Sequence, residues 1–302
     1  MQVALLCLAV PPHQSAPALS AGLITHAPKL HSSTVAVVPP DDVWESIQQA
    51  RLSLRDKGMY RWPPHINLLY PFLPPSAFHE CVAALAPVTS GISPFRVTLD
   101  ALDTFGGRAR GVLFCHPSSK AQHDALCDLQ SALQAAVPVC DDYQRFGGFT
   151  PHLTLAHFSS REEAEQAKAA LVGSWVPVSF DCSASVHLMH REGADGQFAR
   201  AATLPLGGGA SAGLPQLMEP AQRFPLMPAE EAEWIRDARL DARRRSPPRG
   251  SRSRRRRRPR RSAEERASIA ARTPEDIEKI RAARRESRLL AEAAAKHKEI
   301  RP

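Results

Sequence analysis

The sequence has little of what metal centres and disulfide scaffolds require. Its six cysteines are scattered, at positions 7, 81, 115, 127, 140 and 182, and no two of them form a Cys-x-x-Cys pair. This spacing predicts reduced thiols in an intracellular protein rather than a disulfide framework or a zinc site. Because no group of His, Cys, Asp or Glu has the spacing of a ligand set, we expect neither a metal nor another cofactor.

Long apolar runs are also missing, so no membrane association is expected. The apolar start, residues 1–10, is short, and no Lys or Arg precedes it. Arginine is absent until Arg51, which makes a secretory signal or an organelle presequence a poor match. Residues 1–32 are rich in Ala, Pro, Ser and His and are predicted to be a loosely ordered extension, with a cleaved leader left open.

Positive charge is scarce in the first two thirds of the chain. Residues 1–210 carry 14 Lys and Arg against 17 Asp and Glu, whereas residues 211–302 carry 25 against 14. The Gly-rich composition predicts a flexible linker at 208–226. It is followed by a basic tail, 227–302, with charged helices around a disordered Arg/Ser/Pro tract at 243–261. Such a basic tail indicates a polyanionic binding partner, and nucleic acid is the first candidate. The segment Arg243 to Arg261 is predicted to contact RNA or a nuclear protein. A nuclear location is favoured over a cytoplasmic one.

Two similar strings stand out against this background, Pro-His-Ile-Asn-Leu at 64–68 and Pro-His-Leu-Thr-Leu at 151–155. In each, apolar residues alternate with polar ones, the period-2 pattern of a half-buried strand. His65 and Asn67 therefore lie on one face of their strand, as do His152 and Thr154. A single strand histidine is more often structural. Two matching strings, each preceded by Pro and followed by a helical pattern, favour a shared catalytic site.

Two imidazoles across a phosphodiester can divide the proton transfers between them. Imidazole has an unperturbed pKa of about 6.5, close to neutrality. One histidine accepts a proton from the attacking hydroxyl or water, and the other donates one to the leaving oxygen. Asn67 and Thr154 can hydrogen-bond the non-bridging phosphate oxygens. On this interpretation His65 and His152 are catalytic, and Asn67 and Thr154 bind phosphate.

The paired strings resemble the H-x-[ST]-x motifs of the two-histidine phosphoesterase superfamily, which includes RNA 2',5'-ligase-like proteins and cyclic phosphodiesterases. The resemblance covers roughly residues 33–207. It implies that His65 and His152 are the catalytic pair and that the Thr154 hydroxyl binds phosphate. Asn67 departs from the family pattern, which usually has Ser or Thr at that position. An amide can still donate a hydrogen bond, with a different length and geometry.

Strands, helices and the two histidine strings alternate in an order that predicts an α+β fold. We expect a duplicated, two-lobe domain over residues 33–207, in which each lobe is an antiparallel sheet with helices and the active-site cleft lies between the lobes. Single strands are predicted over 95–102 and 176–190, the second forming a hairpin with 198–206. Tyr70, Tyr143 and Arg145 flank the motifs and are weaker candidates for substrate contacts. His157 faces away from His152 on strand parity and is interpreted as structural.

Two functions follow from these patterns. The first is a metal-independent phosphoesterase, a hydrolase acting on RNA ends or small nucleotides through a 2',3'-cyclic phosphate or a 2',5'-phosphodiester. The alternative is a catalytically weakened RNA-binding or RNA-processing scaffold that uses its Arg/Ser tail, an interpretation that Asn67 favours. The nucleotide, the bond and the direction of reaction stay open.

Overall fold

In the computed structural model, the placement of the chain is described for residues 24, 27–145, 147–194, 196–208 and 213–227. All of them belong to the first of two compact units, Met1–Asp241. The second unit, Ala242–Pro302, lies outside the described residues, as do the predicted Arg/Ser tract and the tail helices.

A five-stranded antiparallel sheet has the order β10-β9-β8-β1-β2, which puts the first histidine string on an edge strand. Its strands are β1 (Ser33–Val37), β2 (Ile66–Leu69), β8 (Val186–His190), β9 (Ala199–Leu204) and β10 (Gln216–Arg223). In β2, Ile66 and Leu68 are fully buried while Asn67 is half-buried. The predicted alternation of this strand is therefore confirmed.

The remaining strands form a three-stranded antiparallel sheet of order β4-β5-β6 and a separate β3-β7 pair. Their bounds are β3 (Arg96–Leu99), β4 (Ala101–Gly107), β5 (Arg110–His116), β6 (Leu153–Phe158) and β7 (Val178–Asp181). At the β4–β5 turn Gly106 has φ +124°, and a Cβ there would meet the Arg110 carbonyl oxygen, so this turn requires glycine. The second histidine string lies on β6, again an edge strand.

Five α-helices have their bounds within the described residues: α1 (Trp44–Ser53), α2 (Phe78–Ser90), α3 (Lys120–Ala136), α4 (Asp142–Arg145) and α5 (Arg161–Leu171). Two short 3-10 helices, Asp41–Val43 and Pro75–Ala77, precede α1 and α2. Ser160 caps α5, because its hydroxyl accepts a hydrogen bond from the Glu163 backbone N–H. The apolar faces of the two histidine strands, including Leu153 and Leu155, are fully buried in one continuous core. The predicted α+β fold of antiparallel sheets with helices is confirmed.

Three expectations about single elements are wrong. The strand predicted over 95–102 is split at Asp100 between β3 and β4, which belong to different sheets. The Asp100 carboxylate accepts hydrogen bonds from the Ser118 backbone N–H and hydroxyl at the split. The strand predicted over 176–190 is likewise two strands, since β7 pairs with β3 whereas β8 pairs with β1 and β9.

The third correction concerns the predicted flexible linker, 208–226. Residues Gln216–Arg223 form β10, which pairs with β9 at the edge of the five-stranded sheet. At the other end, Leu30 of the predicted N-terminal extension forms a β-bridge with Phe72. The remaining domain boundaries proposed from the sequence stay predictions.

Candidate active site

The two motif histidines lie at equivalent places in the fold. His65 directly precedes β2 and His152 directly precedes β6, each at the start of an edge strand. The two strands lie against each other, although they belong to different sheets. Both histidine side chains are half-buried. Asn67 and Thr154, two residues further along each strand, are also half-buried and share the histidine faces.

The same backbone contact fixes both imidazole rings. The Nδ1 atom of His65 lies 2.8 Å from the Pro63 carbonyl oxygen, and Nδ1 of His152 lies 2.7 Å from the Thr150 carbonyl oxygen. A carbonyl oxygen can only accept a hydrogen bond, so Nδ1 carries the proton in both rings. Each neutral imidazole therefore presents an unprotonated Nε2, the atom that can accept a proton from a reacting group.

Asn67 contacts the His65 ring at Nε2. Its Nδ2 lies 3.1 Å from His65 Nε2, and its Oδ1 accepts a hydrogen bond of 2.7 Å from the Thr34 hydroxyl. Thr34 is fully buried on β1, which pairs with β2. Because the Thr34 hydroxyl donates to Oδ1, it directs the Asn67 amide nitrogen toward the imidazole. The first half-site is therefore a chain of hydrogen bonds running Thr34–Asn67–His65.

The second half-site is more open. The Thr154 hydroxyl and His152 Nε2 have no hydrogen-bond partner among the residues that the structure describes. Two phenylalanines contact the His152 ring through its edge. The Phe105 centroid is 4.9 Å away at 86°, and the Phe114 centroid is 5.3 Å away at 63°. The ring is therefore restrained by packing and by one backbone hydrogen bond at Nδ1.

The weaker sequence candidates occupy different positions. The Tyr143 hydroxyl lies 3.4 Å from the Asn67 carbonyl oxygen, and burial raises the pKa of Tyr143. The Tyr70 hydroxyl donates to the His31 carbonyl oxygen at 3.2 Å. Arg145 is exposed, and its guanidinium makes two hydrogen bonds to Asp141 within the same helical turn, at 2.9 and 2.7 Å. A substrate would have to draw Arg145 away from this carboxylate.

Trp62 is a site residue that the sequence analysis did not select. Its ring stacks on His65 with centroids 4.4 Å apart and planes 12° apart, and Phe198 covers its other face at 3.6 Å. The only feature in the sequence that could have indicated it is its position beside Pro63 and Pro64. Phe105 and Phe114 were missed as well, because their contacts with His152 depend on the packing of β4, β5 and β6.

The environment favours the neutral form of both histidines. Burial, with smaller contributions from the Arg51 and His152 charges, lowers the pKa of His65 to about 3. Burial also lowers the pKa of His152, as do the neighbouring charges of His157 and His116. A bound phosphodiester would reverse this effect, because a nearby negative charge stabilises the imidazolium form.

His157 is not one of the two motif histidines, and its ring has a different hydrogen-bond partner. It lies five positions after His152 on β6, and its Nδ1 is 3.1 Å from Oδ1 of Asp56. Among the described residues no group of three or more His, Cys, Asp or Glu side chains is arranged to hold a metal ion. In the same part of the chain, none of the helices has the length and apolar composition needed to span a bilayer.

Paired histidine strands on an antiparallel α+β domain define the two-histidine phosphoesterase class. The model of the 2'-5' RNA ligase superfamily matches residues 39–195, just over half of the chain and both motifs. The chain therefore belongs to the 2'-5' RNA ligase superfamily of two-histidine phosphoesterases.

Solved structures with similar folds include LigT of E. coli without ligand, at 16% identity over 59% of this chain and 98% of LigT, with a TM-score of 0.40. Protein TT0787 of Thermus thermophilus is 19% identical over 58% of this chain and 98% of its own, with a TM-score of 0.40. A protein described as a phosphoesterase is 18% identical over 59% and 98%, with a TM-score of 0.37. None of the curated proteins compared with the chain matches it in sequence.

Proposed function

We propose that this protein is a metal-independent phosphoesterase that acts on RNA ends or small nucleotides, at a 2',3'-cyclic phosphate or a 2',5'-phosphodiester. The observation that carries the proposal is the matched placement of two imidazoles. Each directly precedes an edge strand, each has its Nδ1–H held by a backbone carbonyl at 2.7–2.8 Å, and each therefore presents an unprotonated Nε2. Membership of the superfamily supports an activity of this general type.

In the proposed reaction on a cyclic phosphate, His65 is the general base and His152 the general acid. His65 is assigned as base in this scheme because burial lowers its pKa, which favours an unprotonated Nε2 before substrate binds. Water attacks phosphorus, forming the new P–O bond, and gives its proton to His65 Nε2. The bond from phosphorus to the ribose oxygen breaks, and that oxygen takes a proton from His152 Nε2. The phosphate charge raises the pKa of His152 on binding, so that it can carry this proton.

Two polar groups stabilise the charge on the non-bridging oxygens in this scheme. The Thr154 hydroxyl, free among the described residues, donates one hydrogen bond. The second N–H of the Asn67 amide, which is not used by His65, donates another. Charge-directed donors of this kind typically contribute about 2.7–4 kcal/mol each to transition-state stabilisation. Tyr70 and Tyr143, which lie beside the half-site of His65 and Asn67, are proposed to contact the nucleoside.

A catalytically weakened RNA-associated scaffold is the second candidate. The hydrogen bond from Asn67 to His65 Nε2 favours it, because this bond occupies the lone pair that a base needs. Under either proposal the Arg243 to Arg261 segment contacts RNA or a nuclear protein and favours a nuclear location, an expectation that concerns residues outside the described part of the chain.

A panel of 2',3'-cyclic nucleotides and 2',5'-linked oligomers, assayed with EDTA present, separates the two candidates. The proposed function predicts turnover of at least one member of the panel without metal. Binding of RNA without turnover of any member would favour the scaffold. Turnover of a cyclic nucleotide also identifies the bond that is cut, because the product is either a 2'- or a 3'-phosphate.

A further inference from the structure

A chain of polar residues, buried at Arg51 and Asp56, connects the strand of His152 with the segment that leads into β2. Arg51, on α1, and Asp56 form an ion pair with an Nη2–Oδ2 distance of 3.0 Å, and their side chains are 3% and 1% exposed. The other oxygen of Asp56 lies 3.1 Å from His157 Nδ1 on β6. Burial acts to raise the pKa of Asp56, but the hydrogen bond from His157 and the Arg51 charge hold it below its usual value. Asp56 is therefore a carboxylate shared between α1 and β6.

The same residues hold Trp62 through both of its backbone polar groups. Arg51 Nη1 donates to the Trp62 carbonyl oxygen at 3.0 Å. Asp56 Oδ1 accepts from the Gly58 N–H at 3.1 Å, and the Gly58 carbonyl in turn accepts from the Trp62 N–H at 2.9 Å. A residue fixed at its N–H and its C=O has little backbone freedom, so this network fixes the backbone of Trp62 and the direction of its Cα–Cβ bond.

Trp62 passes this restraint to the catalytic ring. Its indole lies flat on His65, with centroids 4.4 Å apart, and Phe198 holds the indole from behind at 3.6 Å. The next residue, Pro63, supplies the carbonyl that accepts the His65 Nδ1 hydrogen bond. Two of the contacts that orient His65 therefore come from Trp62, which the network holds, and from the residue that follows it.

We propose that Arg51, Asp56 and His157 are positioning residues that hold the His65 and His152 strands in a fixed relation. His157 ties the network to β6, five residues after His152, and Trp62 ties it to the lead-in of β2, three residues before His65. The inference rests on the proposed function, since the distance and angle between the two imidazoles matter only if they act on one substrate. A displacement of about 1 Å in such a site can cost roughly 10²-fold in rate.

Substitution of His157 tests the network with little risk to folding, because its side chain is 42% exposed. In His157→Leu the hydrogen bond to Asp56 is lost, whereas in His157→Asn the amide nitrogen can donate in place of Nδ1. We expect kcat on a 2',3'-cyclic nucleotide to fall about tenfold in the Leu variant, with KM within about twofold of wild type. The Asn variant should recover most of the loss. His123→Leu is the matched control, since His123 is 40% exposed on α3 and, among the described residues, its ring makes polar contacts only with Asp124 and Cys127.

A second measurement does not depend on turnover. The ¹⁵N chemical shifts of the His65 ring, assigned by comparison with a His65→Gln variant, should change in His157→Leu and stay unchanged in His157→Asn and His123→Leu. If the wild-type protein turns over no substrate, the proposed function fails and these shifts alone decide the inference. A wild-type kcat in His157→Leu, an equal loss in the Leu and Asn variants, or an unchanged His65 ring would each overturn it.

Discussion

Replacing Asn67 by Ser should raise the basicity of His65 and preserve or increase activity. In the structure the Asn67 amide donates to His65 Nε2 at 3.1 Å, the atom that must accept the proton. This hydrogen bond stabilises the neutral imidazole and so lowers its pKa. Serine is too short to reproduce the contact, and its hydroxyl matches the family pattern and can donate to phosphate instead.

The size of the effect follows from the hydrogen bond. A neutral hydrogen bond contributes about 0.5–1.5 kcal/mol net. One pKa unit corresponds to about 1.4 kcal/mol. Loss of the bond should therefore raise the His65 pKa by up to about one unit, and kcat/KM should lie between the wild-type value and about tenfold above it.

The assay combines kcat/KM on a 2',3'-cyclic nucleotide with an NMR titration of the His65 ring. Thr34→Val is the matched variant, since it removes the hydroxyl that orients the Asn67 amide without shortening Asn67. The Thr34→Val variant should raise the His65 pKa and kcat/KM in the same direction as Asn67→Ser, but by a smaller amount. A loss of more than about tenfold in Asn67→Ser, with the His65 pKa unchanged, would refute the reasoning and identify the amide as a specific phosphate ligand.

Three further predictions concern stability, the tail and metals. Burial and the Arg200 charge lower the pKa of the buried His187 to about 3, against 6.5 in the unfolded chain. The neutral His187 therefore contributes its full stabilisation above pH 6.5, and this stabilisation is lost as the pH falls toward 3. The free energy of unfolding in urea should fall between pH 7 and pH 5 by about 2 kcal/mol more in wild type than in His187→Gln. An equal fall in the two proteins would contradict the lowered pKa of His187. Truncation after Met227 should leave turnover of a cyclic nucleotide nearly unchanged, but it should weaken salt-sensitive binding to long RNA and reduce nuclear accumulation of a fluorescent fusion. Truncation after residue 210 also removes β10 from the sheet and should therefore lower the unfolding midpoint. Activity should survive EDTA, and loss of activity that one divalent metal restores would mean that the site has been misinterpreted.

The elements found from the sequence are those with strong local periodicity. The alternation of β2 and β6 depends on the order of apolar and polar residues within a few positions. The two histidine strings were recognisable because each combines a strand pattern with a polar face. The family match over residues 39–195 agrees with the resemblance inferred from them.

The elements that were missed depend on long-range pairing. β10 is polar and contains Pro220, and only its pairing with β9 makes it a strand. The split between β7 and β8 carries neither Gly nor Pro, so no local residue marked it. The Asp56–His157 contact in the Arg51–Asp56–His157 network joins residues 101 positions apart along the chain. No spacing rule within either histidine string could indicate such a contact.

The central claim, that His65 and His152 divide the proton transfers, is tested most directly by replacing each with Ala. The measurement is kcat/KM on a 2',3'-cyclic nucleotide in EDTA, with circular dichroism spectra to confirm that each variant is folded. Each general acid or base contributes about 10²–10⁴-fold, so both variants should lose at least about 10²-fold. A wild-type rate in either folded variant would contradict the account.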